Sequence, residues 1–274
     1  MSRDMLSYEP GAEERYGLSL GRARLIALRH VQDASLRAAS GAIFLTQYAA
    51  DVVQTSCGQL ANVKLIPHGV GDEFRAAASR RAWPPQGDDI RIVYVSNAAP
   101  YKHQWVVIEA VAMLRERGHR LQLSLIGDSS GPAAALIARA IDRFDPSGRF
   151  VQQSGATPHS VLPSLVSAYD IFLFASSCEN MPNTLVEGMA LGMPIACSMR
   201  GPMPEILKDG GVYFAPENPA SIADALERLI VDPQRRSELA GRARELASAY
   251  SWSRCAAETW AFVRNVGLSS GPLA

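Results

Sequence analysis

Residues 90–96 read IRIVYVS, residues 105–117 read WVVIEAVAMLRER, and residues 121–126 read LQLSLI. The first and last of these runs are apolar or β-branched on nearly consecutive residues, the pattern of strands covered on both faces. The run between them returns Val106, Ile108, Ala110, Met113 and Leu114 at near-helical spacing. A strand, a helix and a second strand in this order close by a right-handed crossover and build a parallel sheet. The alternation continues, with strands expected at 150–153, 171–175 (IFLFA), 194–198 (PIACS) and 212–214, and helices at 133–143 and 158–168. The fold class is α/β, a doubly wound parallel sheet. Sheets of this kind bind ligands beyond the carboxyl ends of their strands, so the loops there are where chemistry is expected.

Toward the N-terminus the pattern thins. Residues 22–39 read as a helix, 42–46 (AIFLT) as a strand, 48–55 as a helix and 63–66 as a second strand. Two strands are too few to bury a core alone, so this is a partial α/β domain. Leu25, Ile26, Leu28, Val31 and Leu36 on the first helix are expected to lack part of their cover. The turn-rich stretch 67–87, with PHGVGDEF and the Pro84-Pro85 step, reads as a linker. Toward the C-terminus, helices are expected at 219–231, 233–249 and from about Trp252 to Val266, before a small, polar tail that frays. The domain plan is 1–66 partial domain, 67–87 linker, 88–250 sheet domain, and 251–274 C-terminal helix and tail.

Composition narrows the function. With Lys plus Arg equal to Asp plus Glu at 27 each, no global field recruits nucleic acid or anionic lipid, so an anionic ligand needs a local device. Cys57, Cys178, Cys197 and Cys255 form no CxxC pair and read as reduced, buried thiols. The five histidines show no HxxxH or HExxH spacing, so neither a metal nor a cofactor is expected. No apolar run spans a bilayer, and the polar, acidic stretch 1–17 is no signal peptide. A cytoplasmic protein is expected, at most peripheral to the inner membrane.

The strongest functional signal is residues 178–189, CENMPNTLVEGM, directly after the strand ending near Ala175. A buried strand leaves into a polar loop carrying Glu179, and a helix starts around Asn183, a good capping residue. Leu185, Met189 and Leu191 are expected to pack on the sheet. The free N–H groups of that helix start point at the crevice and suit a phosphate. Glu187 lies one turn in, where a carboxylate can accept hydrogen bonds from a pair of sugar hydroxyls. Taken alone, the two glutamates read equally as a loop charge and a carboxylate favoured by the positive helix end. Lys102 by itself reads as a solvated lysine at a helix start, and Glu205 as either a helix-end charge or a crevice residue. Gly127 reads as a strand-end turn and a close-approach point for a nucleotide. His103 and His159 read as loop or surface histidines, Trp252 and Trp260 as packing anchors.

The 178–189 stretch resembles the E-(x)7-E motif of retaining glycosyltransferases of family 4. The resemblance extends through Gly155 and 160–177 (SVLPSLVSAYDIFLFASS), through 187–230 (EGMALGMPIACSMRGPMPEILKDGGVYFAPENPASIADALERLI), and to the Tyr250-Ser251-Trp252 step. Upstream, 93–102 (VYVSNAAPYK) is similar to the family's strand and loop that carry a diphosphate-binding Arg and Lys. The match runs from about residue 40 to 264. It implies a GT-B fold, with the nucleotide diphosphate sugar held by the Rossmann-like domain over 88–250. Glu187 would bond the ribose and Glu179 the donor sugar. Lys102 and the amides around Asn183, Thr184 and Leu185 would take the diphosphate, with Gly127 and Gly155 completing the substrate-binding set. The position of the family's Arg is Asn97, so half of the side-chain phosphate clamp is missing or supplied differently.

The resemblance further implies transfer of the sugar to an acceptor hydroxyl with retention. Attack comes on the face that the leaving phosphate vacates, with that phosphate as base and Glu179 and Lys102 as the catalytic pair. The acceptor is unknown, a saccharide or a lipid-linked glycan, and polysaccharide biosynthesis follows by analogy alone. Family members carry a complete acceptor-binding N-terminal domain, whereas 4–10 (DMLSYEP) resembles an internal loop. The resemblance thus implies an N-terminal truncation of about a hundred residues. A catalytically incompetent nucleotide-sugar-binding fragment, or one half of a split transferase that meets a separate N-terminal half or itself, is the competing reading. A nicotinamide oxidoreductase is disfavoured because 96–102 (SNAAPYK) has no G-x-G-x-x-G.

Overall fold

The computed structural model describes residues 5–11, 20–78 and 82–269. The frayed tail expected over 267–274 lies partly outside the described residues, as does the start of the 1–17 stretch. The chain divides into two compact units: Val70–Ser177 with Asn183–Ala249, and Met1–Gly69 with Cys178–Pro182 and Tyr250–Ala274.

The larger unit is a six-stranded sheet, all parallel. In chain order its strands are β3 (Ile90–Val95), β4 (Leu121–Ile126), β5 (Val151–Ser154), β6 (Ile171–Phe174), β7 (Ile195–Ser198) and β8 (Val212–Phe214). Across the sheet they run β5-β4-β3-β6-β7-β8, so the winding reverses between β3 and β6. β3 pairs with β4 along its whole length and with β6 at Ile92↔Ile171 and Val93↔Phe172. All residues of β6 and β7 are buried, as their unbroken apolar runs require. Tyr94, Phe172, Phe174 and Phe214 are among the largest fully buried side chains, and the core is built around them.

The helices follow the sequence reading closely, with α4 at Gln104–Glu116, α5 at Ala134–Phe144, α9 at Pro219–Val231 and α10 at Pro233–Ala247. α4 buries eight residues because α5 and α9 both pack against it. Two expectations change. The helix expected over 158–168 is a 3₁₀ turn, His159–Val161, followed by a short α6, Leu162–Val166, with Pro163 in its first turn. The linker expected over 67–87 holds a helix, α3 (Asp72–Ala76), with Asp72 and Glu73 in its first turn and Phe74 fully buried. A carboxylate pair at the positive end and one deep anchor suffice for a five-residue helix. Trp83 is also engaged: the buried Arg236 guanidinium lies 3.4 Å from its ring centroid while donating to the Leu229 and Ile230 carbonyls.

The smaller unit contains α1 (Leu20–Ala38), β1 (Ala42–Phe44), α2 (Gln47–Cys57), β2 (Val63–Leu65) and α11 (Trp252–Ser269). β1 and β2 form a parallel pair in the register Ala42↔Val63 to Phe44↔Leu65. Thr46 caps α2 by accepting from the Ala49 N–H, and its hydroxyl donates to the Asn180 carbonyl. The buried Asp33 carboxylate accepts from the Tyr8 and Ser56 hydroxyls. Asp33 is the one buried residue of α1, and α11 shows none among its described side chains. Both helices and β1 line an apolar cavity of about 740 Å³, whose walls include Val31, Leu36, Phe44, Val53, Phe262 and Val266. Trp260, 73% exposed, is no packing anchor, and Trp252, 50% exposed, keeps a ring contact with His68 at 5.1 Å between centroids.

Candidate functional site

β3 and β6 are sheet neighbours although two strands separate them in sequence, so the loops from their carboxyl ends leave in opposite directions and open a crevice between them. The β3 loop is held in shape from below. The Ser96 N–H donates to the Ile126 carbonyl, the Ala98 N–H to the Asp128 carbonyl, and the Gln104 amide to the Ser96 hydroxyl (2.8 Å). Gly127, at φ 142°, is where the β4 loop touches this one: a Cβ there would stand 2.2 Å from the Ser96 carbonyl oxygen. The close approach at Gly127 is therefore to backbone. Asn97 is exposed beside it and supplies no cation.

Lys102 ends a 3₁₀ turn, Pro100–Lys102. Its carbonyl accepts from the Tyr94 hydroxyl (2.9 Å), and its ammonium lies 5.2 Å and 5.6 Å from the ring centroids of Tyr101 and Phe174. Phe174 is the last residue of β6, so this cation stands over the switch point. His103 follows at φ 50°, only 5% exposed, with its Nε2 2.8 Å from the Ser177 hydroxyl. The Ser177 N–H in turn donates to the Tyr101 carbonyl. His103 is thus no surface residue; it bolts the β3 loop to the β6 loop.

α7 runs Asn183–Ala190, so Asn183 stands inside the first turn. Its side chain is exposed, Thr184 is half-buried, and Leu185 is fully buried and offers only its amide outward. Gly188 lets the helix lie flush on the sheet, since a Cβ would come within 2.8 Å of the Phe172 ring. Glu187 is 14% exposed at its side chain and hydrogen-bonds the His159 Nε2 at 2.9 Å. Burial raises its pKa first, the His159 hydrogen bond and charge lower it, and nearby Glu73 raises it, for a net upward shift. Phe74 of α3 packs on the His159 imidazole, with ring centroids 5.3 Å apart.

The structure brings Lys102, Asn97 and Gly127 to the loops at the ends of β3 and β4. Glu187 meets the segment after β5, which also holds Gly155; a side chain at Gly155 would touch nothing within 4 Å. Glu179 is half-buried and falls in Cys178–Pro182, which groups with the smaller unit. Glu205 lies in the first turn of α8 (Met203–Leu207), the helix-end alternative. His103, His159, Glu73 and Phe74 were not singled out as site residues from the sequence. The available signal for His159 was its place four residues past Gly155, beyond a strand's carboxyl end. Among the described residues no cluster of His, Cys, Asp or Glu is arranged to hold a metal ion, and no helix is long and apolar enough to cross a membrane.

Comparison with known proteins shows the family. The family described as "Glycosyl transferases group 1" matches residues 76–246, more than half of the chain. An alpha-D-kanosaminyltransferase of Streptomyces kanamyceticus is 29% identical over 244 residues, 85% of this chain and 62% of that protein. A D-inositol 3-phosphate glycosyltransferase of Actinosynnema mirum is 28% identical, over 71% of this chain and 49% of its own length. The chain thus spans about half to three-fifths of these relatives. Among solved structures, sucrose-phosphate synthase from Thermosynechococcus elongatus superimposes with a TM-score of 0.81 at 20% identity, over 96% of this chain and 67% of that one. Anabaena HepE, solved in complex with UDP and glucose, gives 0.71 at 19% identity, over 99% and 70%. At these identities the structures speak for the fold.

Proposed function

Because the chain belongs to the glycosyl transferases group 1 family, we propose that it carries the sugar-nucleotide-binding part of a retaining glycosyltransferase of family 4. The observation that carries this reading is the switch point itself. A cation at the end of β3 and the amino end of α7 beyond β6 offer positive potential for a diphosphate, and a nearly buried carboxylate sits one turn into that helix. On this reading Lys102 and the amides of Asn183, Thr184 and Leu185 hold the diphosphate and Glu187 accepts from the ribose hydroxyls. Glu179 takes the sugar. Asn97, Gly127 and Gly155 border the nucleotide, Gly127 by keeping its loop tight. The relatives, an alpha-D-kanosaminyltransferase and a D-inositol 3-phosphate glycosyltransferase, support a sugar-nucleotide donor.

In the proposed reaction an acceptor hydroxyl attacks the anomeric carbon on the face that the diphosphate leaves, and its proton passes to a phosphate oxygen of the leaving group. The developing diphosphate charge is stabilised by Lys102 and the helix amides, which are already oriented in the resting protein. The test is calorimetry with UDP, GDP and ADP. Millimolar concentrations of all three giving no heat would overturn the reading.

The acceptor side is proposed to be completed by further polypeptide. What supports this is the open apolar face shared by α1, β1 and α11. In the parallel β1–β2 pair, Ala42 and Phe44 bond β2, which turns the Ile43 backbone to the opposite edge. The occupant proposed is an acceptor-side segment that adds strands beside β1, and the greater length of the relatives agrees with it. Residues 1–66 and 251–274 then belong to the acceptor side and 88–250 to the donor side. A discrete two-copy complex that persists on dilution, seen by light scattering, would mean that a second copy fills the face and would overturn that choice, whereas open-ended association that grows with concentration would not.

A further inference from the structure

Glu187 is a carboxylate almost withdrawn from water, and the group that meets it from the solvent side is the 61%-exposed imidazole of His159. The bond is between His159 Nε2 and Glu187 Oε1, at 2.9 Å. An ionised carboxylate only accepts, so the imidazole presents Nε2–H to it. The ring is backed on another side by Phe74, itself 1% exposed and fixed in α3. His159 is therefore an exposed side chain with a fixed backing and a directed donor, reaching one oxygen of the carboxylate. We infer that His159 is a positioning residue for the Glu187 carboxylate, fixing one oxygen so that the other accepts from the ligand's vicinal diol. This rests on the reading that Glu187 holds the ribose.

The electrostatics give the arrangement a second consequence. The two hydroxyls of a diol donate most strongly to an ionised carboxylate, whereas protonation turns one of its oxygens into a donor and weakens the other as an acceptor. Burial and the Glu73 carboxylate on α3 favour the neutral acid, and His159 opposes them. α8 and α10 also pack near α7, and their charged residues, Glu205, Arg235, Arg236, Glu238, Arg242, Arg244 and Glu245, are not among the groups acting on Glu187. Asp72 and Arg75 of α3 are likewise absent from them. Removing His159 therefore leaves burial and Glu73 unopposed. The carboxylate then ionises at a higher pH, and diol binding, which the ionised form favours, weakens at a higher pH on acidification.

The experiment measures binding of UDP, GDP and ADP, and of the 2′,3′-dideoxy form of whichever binds best, by calorimetry from pH 5.5 to 8.5. It uses the full chain as wild type, His159→Ala and His159→Gln. The wild type is expected to prefer the ribonucleotide over the dideoxy form. His159→Ala should weaken ribonucleotide binding about tenfold or more, the size of one charge-assisted hydrogen bond, and leave dideoxy binding nearly unchanged. The acid-side loss of affinity should move to higher pH. His159→Gln, which keeps an N–H donor without the charge, should recover most of the loss at pH 8.5 and little at pH 5.5. Tighter ribonucleotide binding by His159→Ala would overturn the inference, because the imidazole would then be a competitor of the ribose. Equal losses for the ribo and dideoxy forms would overturn it too. A wild type that binds nucleotide but does not distinguish the two forms would overturn the ribose role of Glu187, and the positioning role with it.

Discussion

The Lys102 ammonium rests among aromatic rings at the end of β3, whereas the Glu187 carboxylate is nearly buried one turn into α7. The two should therefore fail differently. On the proposed reading Lys102 would meet phosphate as a point charge in partial contact with solvent, and salt screens such a contact. Glu187 would hold its ligand through short hydrogen bonds in a site that salt reaches poorly. Lys102→Ala and Glu187→Ala are each expected to raise the nucleoside diphosphate Kd at least tenfold, from about 1.5–3 kcal/mol per charge-assisted hydrogen bond. Between 50 mM and 500 mM salt, affinity of the wild type and of Glu187→Ala should fall in parallel, and that of Lys102→Ala should fall less. Titrations in which all three slopes agree would make Lys102 an ordinary lysine. Glu187 could be placed beside the crevice from the sequence because it sits at a fixed distance from a strand's end, while the ligand role proposed for it comes from the family resemblance. The surroundings of His159 could not be placed this way, because Phe74 and Glu73 stand 85 and 86 positions earlier in the chain and reach it only through packing.

Among the elements, the edge strand β5 shows what the sequence could and could not specify. The strands before and after it in the chain, β4 and β6, are apolar runs whose bounds are plain, but β5 (VQQS) is largely exposed, and its start is set by a side chain. Burial pushes the Asp145 pKa up, yet its carboxylate accepts from the N–H groups of Arg149, Phe150 and Val151, and these bonds outweigh burial to leave it lowered. That triple bond places β5 at 151–154, one residue beyond the expectation of 150–153. Similarly, α3 is not legible because five residues carry no periodicity, and α7 is legible because Leu185 and Met189 recur one turn apart on its buried side. Asp145→Ala should destabilise the protein by about 2–3 kcal/mol, since charge-assisted bonds are lost and buried N–H groups are left unmet. The sign with pH follows from the lowered value: the stabilisation is full above the unfolded carboxylate's pKa near 4 and disappears as pH falls through the folded one. Urea titrations should show the wild type and Asp145→Ala far apart at pH 7 and converging below about pH 4. A constant difference across that range would mean that the carboxylate is not the anchor.

At the scale of the whole molecule the two units should differ in how firmly each is held. The sheet unit buries its inner strands β6 and β7 on both faces and should be the cooperative core. A nucleoside diphosphate at a hundredfold excess over its Kd should add about 2.7 kcal/mol to it and raise its Tm. The smaller unit holds two long helices, α1 and α11, that bury almost nothing, and an apolar cavity between them. Helices without a packed face open locally at low cost, since most helical stability in proteins comes from packing. The arginines that trypsin needs stand on these helices: Arg24 and Arg37 on α1, Arg254 and Arg264 on α11, all exposed. Brief trypsin treatment is therefore expected to cut first at these four, leaving a resistant piece that spans the sheet, and nucleotide should protect that piece without slowing the first cuts. Leu20, Val31, Val263 and Leu268 are exposed on the same helices, so the intact chain should also associate as its concentration rises. If α1 and α11 resist as long as the sheet does, they are stably packed as they stand. The proposal that further polypeptide completes this face would then fall, while the donor-binding reading, tested by calorimetry, would stand.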